Sequence, residues 1–107
     1  MNNIPESDWK YLRLIKDELL DTLCKRINDE ASHIIADPRL YQHQKVLRLF
    51  EHVTQKNEII AKCFDDWRRS NILHKLLALR EQRLLTEKQL SLLTEESRDK
   101  IKPGLKQ

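Results

Sequence analysis

Glu30-Ala31-Ser32-His33 sets a carboxylate and an imidazole three residues apart, on one face of any helix that contains them. That is the donor spacing of carboxylate-bridged di-metal bundles, which also take a second Glu-x-x-His and two further glutamates. No other glutamate in the chain has a histidine three residues on, so only a symmetric dimer would complete such a site. His43, His52 and His74 have no partners at zinc-ligand spacing, and neither Cys-x-x-Cys nor His-Glu-x-x-His occurs. Ser32 adjoins His33, yet helical neighbours point about 100° apart and do not act as nucleophile and base. No catalytic residue, metal site or cofactor is assigned, and the chain is expected to be non-enzymatic.

Asp65, Trp67, Arg68 and Arg69 form the densest cluster of residue types that dominate binding hot spots, and they are the candidate partner-binding residues. Their structural alternative is internal: Asp65 paired with Arg68 or Arg69, and Trp67 closing the end of a helical hairpin against Trp9. A nucleic-acid surface would use Arg68, Arg69, Lys75, Arg80 and Arg83. Residues 85–94 followed by 95–102 superficially suggest a helix-turn-helix, but the turn lacks glycine and the supposed reading helix opens on Glu95 and Glu96, which phosphates repel. Nucleic acid is therefore the secondary reading.

The sequence has 107 residues and a single glycine, Gly104, and its only prolines before Pro103 are Pro5 and Pro38. Glycine-dependent phosphate loops, nucleophile elbows and dinucleotide fingerprints are excluded, and long uninterrupted helices are expected. Charged residues make up 35% and aromatics 6%, the balance of solvated helices with a leucine seam. The net charge of +3 is uneven: residues 1–36 carry five basic and seven acidic groups, residues 37–69 seven and five, and residues 70–107 eight and five. An acidic first segment against basic later ones suits packing within the chain at least as well as an external polyanion. The longest unbroken apolar run is Leu76-Leu77-Ala78-Leu79, far short of the roughly 20 residues of a membrane span. Residues 1–8 have neither the basic nor the apolar stretch of a secretory signal, so a cytoplasmic setting is expected, with Cys24 and Cys63 as buried free thiols.

From Trp9, apolar residues recur at Leu12, Ile15, Leu19, Leu23, Ile27, Ala31 and Ile34 in steps of three and four, one helical stripe running to about Ala36. Ser7 is its expected N-cap and Asp8 a favourable first-turn acid. Asp37-Pro38 stops this helix and permits a reversal. A second stripe, Leu40, Leu47, Phe50, Val53, Ile60, Phe64 and Trp67, predicts a helix to Arg69 that continues through the polar stretch 54–57. A turn at 37–38 pairs Trp9 with Trp67, Leu12 with Phe64, Leu23 with Val53, and Ile27 with Phe50 or Leu49, and it separates Cys24 from Cys63. Ser70-Asn71 opens a third helix, Ile72 to about Leu85, apolar on more than one side. Thr86 with Gln89 forms a capping box, with Leu85 and Leu90 as its staple, so a short fourth helix carries Leu90 and Leu93 inward. One more turn can start at Thr94.

The expected architecture is all-α: a long antiparallel hairpin, a third helix and one or two short C-terminal helices, bundled as one domain over residues 1–101 with a flexible tail at 102–107. Two long helices do not cover both sides of a leucine seam, and the third is too short to shield them. The expected function is a protein-protein interaction module that self-associates as a homodimer and presents helical surface to another protein.

Overall fold

The computed structural model describes residues 4–102, so most of the expected tail lies outside the described residues. Five helices are present among them: α1 (Glu6–Ala36), α2 (Gln42–Phe64), α3 (Ile72–Glu81), α4 (Glu87–Ser91) and α5 (Glu95–Lys100). The all-α class and the hairpin-plus-short-helices order agree with the sequence reading.

α1 has no internal glycine or proline, and Leu12, Ile15, Leu19, Leu23 and Ile27 form its buried stripe. Each fully buried aliphatic side chain of this kind contributes about 1.5–3 kcal/mol, far more than the exposed Lys25–Asp29 pair at 2.9 Å on the opposite side. The helix begins two residues earlier than expected, with Pro5 rather than Ser7 in the capping position. The Pro5 carbonyl already accepts from the amides of Asp8 and Trp9, which leaves Ser7 exposed inside the first turn.

After Ala36, a turn over residues 37–41 reverses the chain. Asp37 holds it by accepting from the Arg39 amide and guanidinium, at 2.9 and 3.0 Å. α2 runs unbroken through residues 54–57 as the spacing predicts, but ends at Phe64 instead of Arg69. The cause is a tight reversal in which Asp65 is extended and Asp66 takes φ 57°, a left-handed position. Asn71 braces this turn by donating to the Asp66 carbonyl at 2.8 Å.

The hairpin closes at the expected end, where Trp9 and Trp67 line one small cleft with Arg13 and Lys16. Trp67 stacks on Phe64 at 6.1 Å and donates to the Cys63 carbonyl at 2.8 Å. Cys24 and Cys63 are both free thiols.

Toward the turn, the expected pairing fails. Leu47, Phe50 and Val53 are exposed, and α1 is met instead by His52, whose ring nitrogen lies 3.0 Å from the Ile27 carbonyl oxygen. The covered side of α2, which meets α1 at His52 and Lys56, comprises Lys45, Leu49, His52, Lys56, Ile59 and Cys63, spaced at helical intervals and half of them polar. The apolar stripe lies roughly a third of a turn around the helix from that side. α3 packs against α2, and only the far end of the stripe, Ile60 and Phe64, joins the core that also holds Ile72, Leu76 and Leu79.

α3 stops at Glu81, short of Leu85, in a Schellman arrangement. The Leu84 amide reaches the Leu79 carbonyl and the Arg83 amide the Arg80 carbonyl, with Arg83 at φ 55° where glycine is usual. The Thr86–Gln89 capping box forms, with its two reciprocal bonds at 2.9 and 3.0 Å. Thr94 caps α5, and Leu93 is buried beneath it.

The last helix, α5, is fastened to the start of α1. The carboxylate of Asp8, only 2% exposed, accepts from the Thr94 amide at 3.0 Å and the Thr94 hydroxyl at 2.6 Å, and also from the Ser97 hydroxyl. The molecule extends 51 × 31 × 23 Å. Its core fills one end, and the hairpin turn forms the other. Beyond Ile27 no residue of α1 is buried, nor is any residue of α2 before Cys63.

Candidate interaction surface

A helix that ends without glycine exposes carbonyl oxygens that other groups must satisfy. Here the satisfying groups are cations from neighbouring elements. Arg26 of α1 donates to the Gln82 and Arg83 carbonyls at 2.8 and 2.9 Å, closing α3. Lys75 donates to the Lys62 carbonyl at 3.1 Å near the end of α2, and Arg98 to the Leu93 carbonyl at 2.8 Å after α4. Arg80 donates to the Ile101 carbonyl at the end of α5.

Several of the sequence-picked residues are therefore committed internally. Arg69 bonds Glu6 at 2.6 Å and the Ile4 carbonyl at 2.9 and 3.2 Å, tying the loop after α2 to the chain start. Arg68 pairs with Asp66 at 2.7 Å, not with Asp65, because the left-handed step at Asp66 turns that carboxylate toward it. Trp67 is half-buried under the ammonium of Lys16, 5.3 Å from its ring centre, and Asp65 is exposed. Lys75 and Arg80 are used at helix ends as described. Arg83 lines a shallow groove of about 740 Å³ with Arg80, Arg98 and Lys102, where Glu87, Glu95 and Asp99 offset the positive charge.

Glu30 does not join His33 in a ligand set. Its carboxylate lies 3.6 Å from His52 and 3.8 Å from Lys56 across the hairpin, while His33 is exposed. Among the described residues no group of three or more His, Cys, Asp or Glu gathers for a metal ion. Burial pushes the Cys63 thiol above its ordinary pKa, so it is a packed apolar group held in its neutral form.

The feature left without a partner is apolar. On the turn-proximal half of the hairpin, Tyr41 is 81% exposed and Phe50 73%, with Val46, Leu47 and Val53 beside them. Val46, Phe50 and Val53 follow one another at four and three residues, so they stand in one row on α2. Exposed apolar side chains scattered singly are ordinary on a protein surface, whereas large contiguous apolar patches mark interaction sites. Sequence reasoning picked Leu47, Phe50 and Val53 as apolar spine but assigned them to the core, and it passed over Tyr41 and Val46. Val46 at i−4 from Phe50 was the available signal.

Compared with known proteins, the chain matches no family model, no curated protein and no solved structure. Among the described residues no helix is long and apolar enough to cross a membrane.

Proposed function

We propose that this chain is a non-enzymatic helical interaction module that self-associates through the open apolar row of α2. The observation that carries the reading is the exposure of Val46, Leu47, Phe50 and Val53 on a helix whose other end enters the core at Cys63 and Phe64. The functional load then falls on surface shape rather than on reactive groups. Aromatic residues bury roughly 150–250 Å² each, so Tyr41 and Phe50 with their aliphatic neighbours supply the apolar centre of an interface near the usual ~800 Å² per partner. A cytoplasmic setting is part of the proposal, and the free thiols of Cys24 and Cys63 are consistent with it.

Sedimentation or light scattering across a hundredfold dilution tests this reading. The expected result is a dimer that dissociates on dilution, and a monomer at all concentrations for Phe50→Glu, whose helix content stays unchanged. A wild-type chain that remains monomeric at the highest concentration refutes it.

A further inference from the structure

We propose that the cleft along α3 binds a compact polyphosphate anion, held by Lys75 and Arg80. This site is separate from the apolar row of α2 and does not depend on self-association.

His74, Leu77, Ala78 and Glu81 follow one another at helical intervals and form one face of α3. They line a cleft of about 610 Å³, within the roughly 300–1,000 Å³ range of small-molecule sites, together with Lys62 near the end of α2 and Lys102 beyond α5. Lys75 and Arg80 line the same cleft. Five positions apart on α3, they stand about 140° from one another around the helix and about 7.5 Å along it, so they flank that face on opposite sides.

Both cations are fixed, and neither is neutralised. Lys75 donates to the Lys62 carbonyl at 3.1 Å and Arg80 to the Ile101 carbonyl. A carbonyl orients a cation but carries no formal charge. Those bonds use one of the three N–H donors of Lys75 and one of the five of Arg80, which leaves the remainder for a ligand. Neither residue pairs with a carboxylate among the described residues. The other charges of the lining cancel, because Lys62 is paired with Glu81 at 3.3 Å and Lys102 with Asp99 at 3.5 Å. Each helix end that the two cations hold is equivalent to about half a negative charge, which offsets only part of two full positive ones. The neighbouring groove around Arg83 differs, since Glu87, Glu95 and Asp99 balance its cations.

The uncompensated positive charge therefore collects in the α3 cleft, where the apolar side chains of Leu77 and Ala78 help to focus its field. An arginine and a lysine held in place with donors to spare suit phosphate oxygens. Their heads are drawn apart, one to the end of α2 and the other to the end of α5, so a chain of two or three phosphates matches them better than a single group. The size of the cleft fits such a ligand rather than a nucleic-acid strand.

Titration of inorganic tripolyphosphate into the full chain at fixed ionic strength, followed by amide chemical shifts, tests the site. The expected result is saturable binding with shifts centred on residues 62 and 74–81. Lys75→Met and Arg80→Met, which keep the length of the side chain and remove its charge, are each expected to weaken binding about tenfold. Glu81→Gln breaks no bond at a helix end and releases Lys62, so it is expected to tighten binding several-fold, a gain that poor folding does not produce. Arg48→Gln, the loss of one positive charge on the turn-proximal half of α2, is expected to leave the affinity unchanged. A nucleoside triphosphate that binds more tightly than tripolyphosphate, with an added shift at Leu77, supports the site as one for a nucleotide, and equal binding supports it as one for the bare phosphate chain. No saturation at millimolar anion, an equal loss in Arg48→Gln and Lys75→Met, or equal affinity for citrate overturns the proposal. A single-stranded oligonucleotide that binds more tightly than tripolyphosphate, with shifts spreading to Arg68, Arg69 and Arg83, also overturns it.

Discussion

Asp8 is the only buried carboxylate among the described residues, and its partners lie 86 and 89 positions away, at Thr94 and Ser97. A buried acceptor that satisfies a backbone amide and two hydroxyls is worth more than a surface ion pair, because removing it strands donors away from water. Asp8→Ala is expected to destabilise the fold by about 3 kcal/mol in urea titrations, with the largest loss of hydrogen-exchange protection at residues 94–101. A cost below about 1 kcal/mol refutes the latch. The sequence shows Asp8 only as a favourable first-turn acid; a bond to a residue on the last helix carries no local signature. Asp37 is the opposite case, a local pattern with a local outcome. The guanidinium hydrogen bond from Arg39 foremost, with the Arg39 amide, lowers the Asp37 carboxyl from 3.8 to about 2. Because the folded value lies below the unfolded one, its stabilisation is present above pH 4, declines below that, and is gone once the pH has fallen through about 2. A carboxyl titration by nuclear magnetic resonance is expected to place the midpoint near 2, and Arg39→Ala to return it toward 3.8.

At the scale of elements, period is legible and direction is not. The step of three and four residues correctly gives α1 its buried stripe and keeps α2 continuous through residues 54–57. What the pattern does not contain is which third of α2 turns toward α1, since half of the covered side is polar and His52 and Lys56 make contacts with α1 there. Helix ends were similarly hidden, because Asp66 and Arg83 occupy left-handed positions where glycine would have announced them. Of the five basic residues read as a nucleic-acid surface, Lys75 and Arg80 finish such ends. The divided stripe has a direct test in two phenylalanines on the same helix face. Phe64, 5% exposed, is expected to cost about 3–5 kcal/mol when replaced by alanine, whereas Phe50→Ala, measured in dilute protein, is expected to cost under about 0.5 kcal/mol. Comparable losses at both positions by urea unfolding would mean that the row is covered within the chain.

For the whole molecule, the consequence is a gradient of stability along its 51 Å length. At one end α3, α4 and α5 close over α1 and the end of α2, held by the Asp8 latch and the Arg69 bonds. At the other, two helices share a half-buried seam that no third element covers. Amide exchange follows such differences, because segments with few buried apolar contacts open without global unfolding. In dilute protein, residues 28–55 are expected to exchange through local opening, well ahead of residues 8–23 and 72–79. Docking of a second copy would close that gap selectively, since a partner that binds only the folded hairpin stabilises it in proportion to its concentration. Protection between residues 41 and 57 should therefore rise with protein concentration in the wild-type chain and stay constant in Phe50→Glu, while residues 8–23 remain unaffected in both. A uniform rise across the chain would point to global stabilisation from a contact elsewhere, and no rise at all would remove the interface from α2.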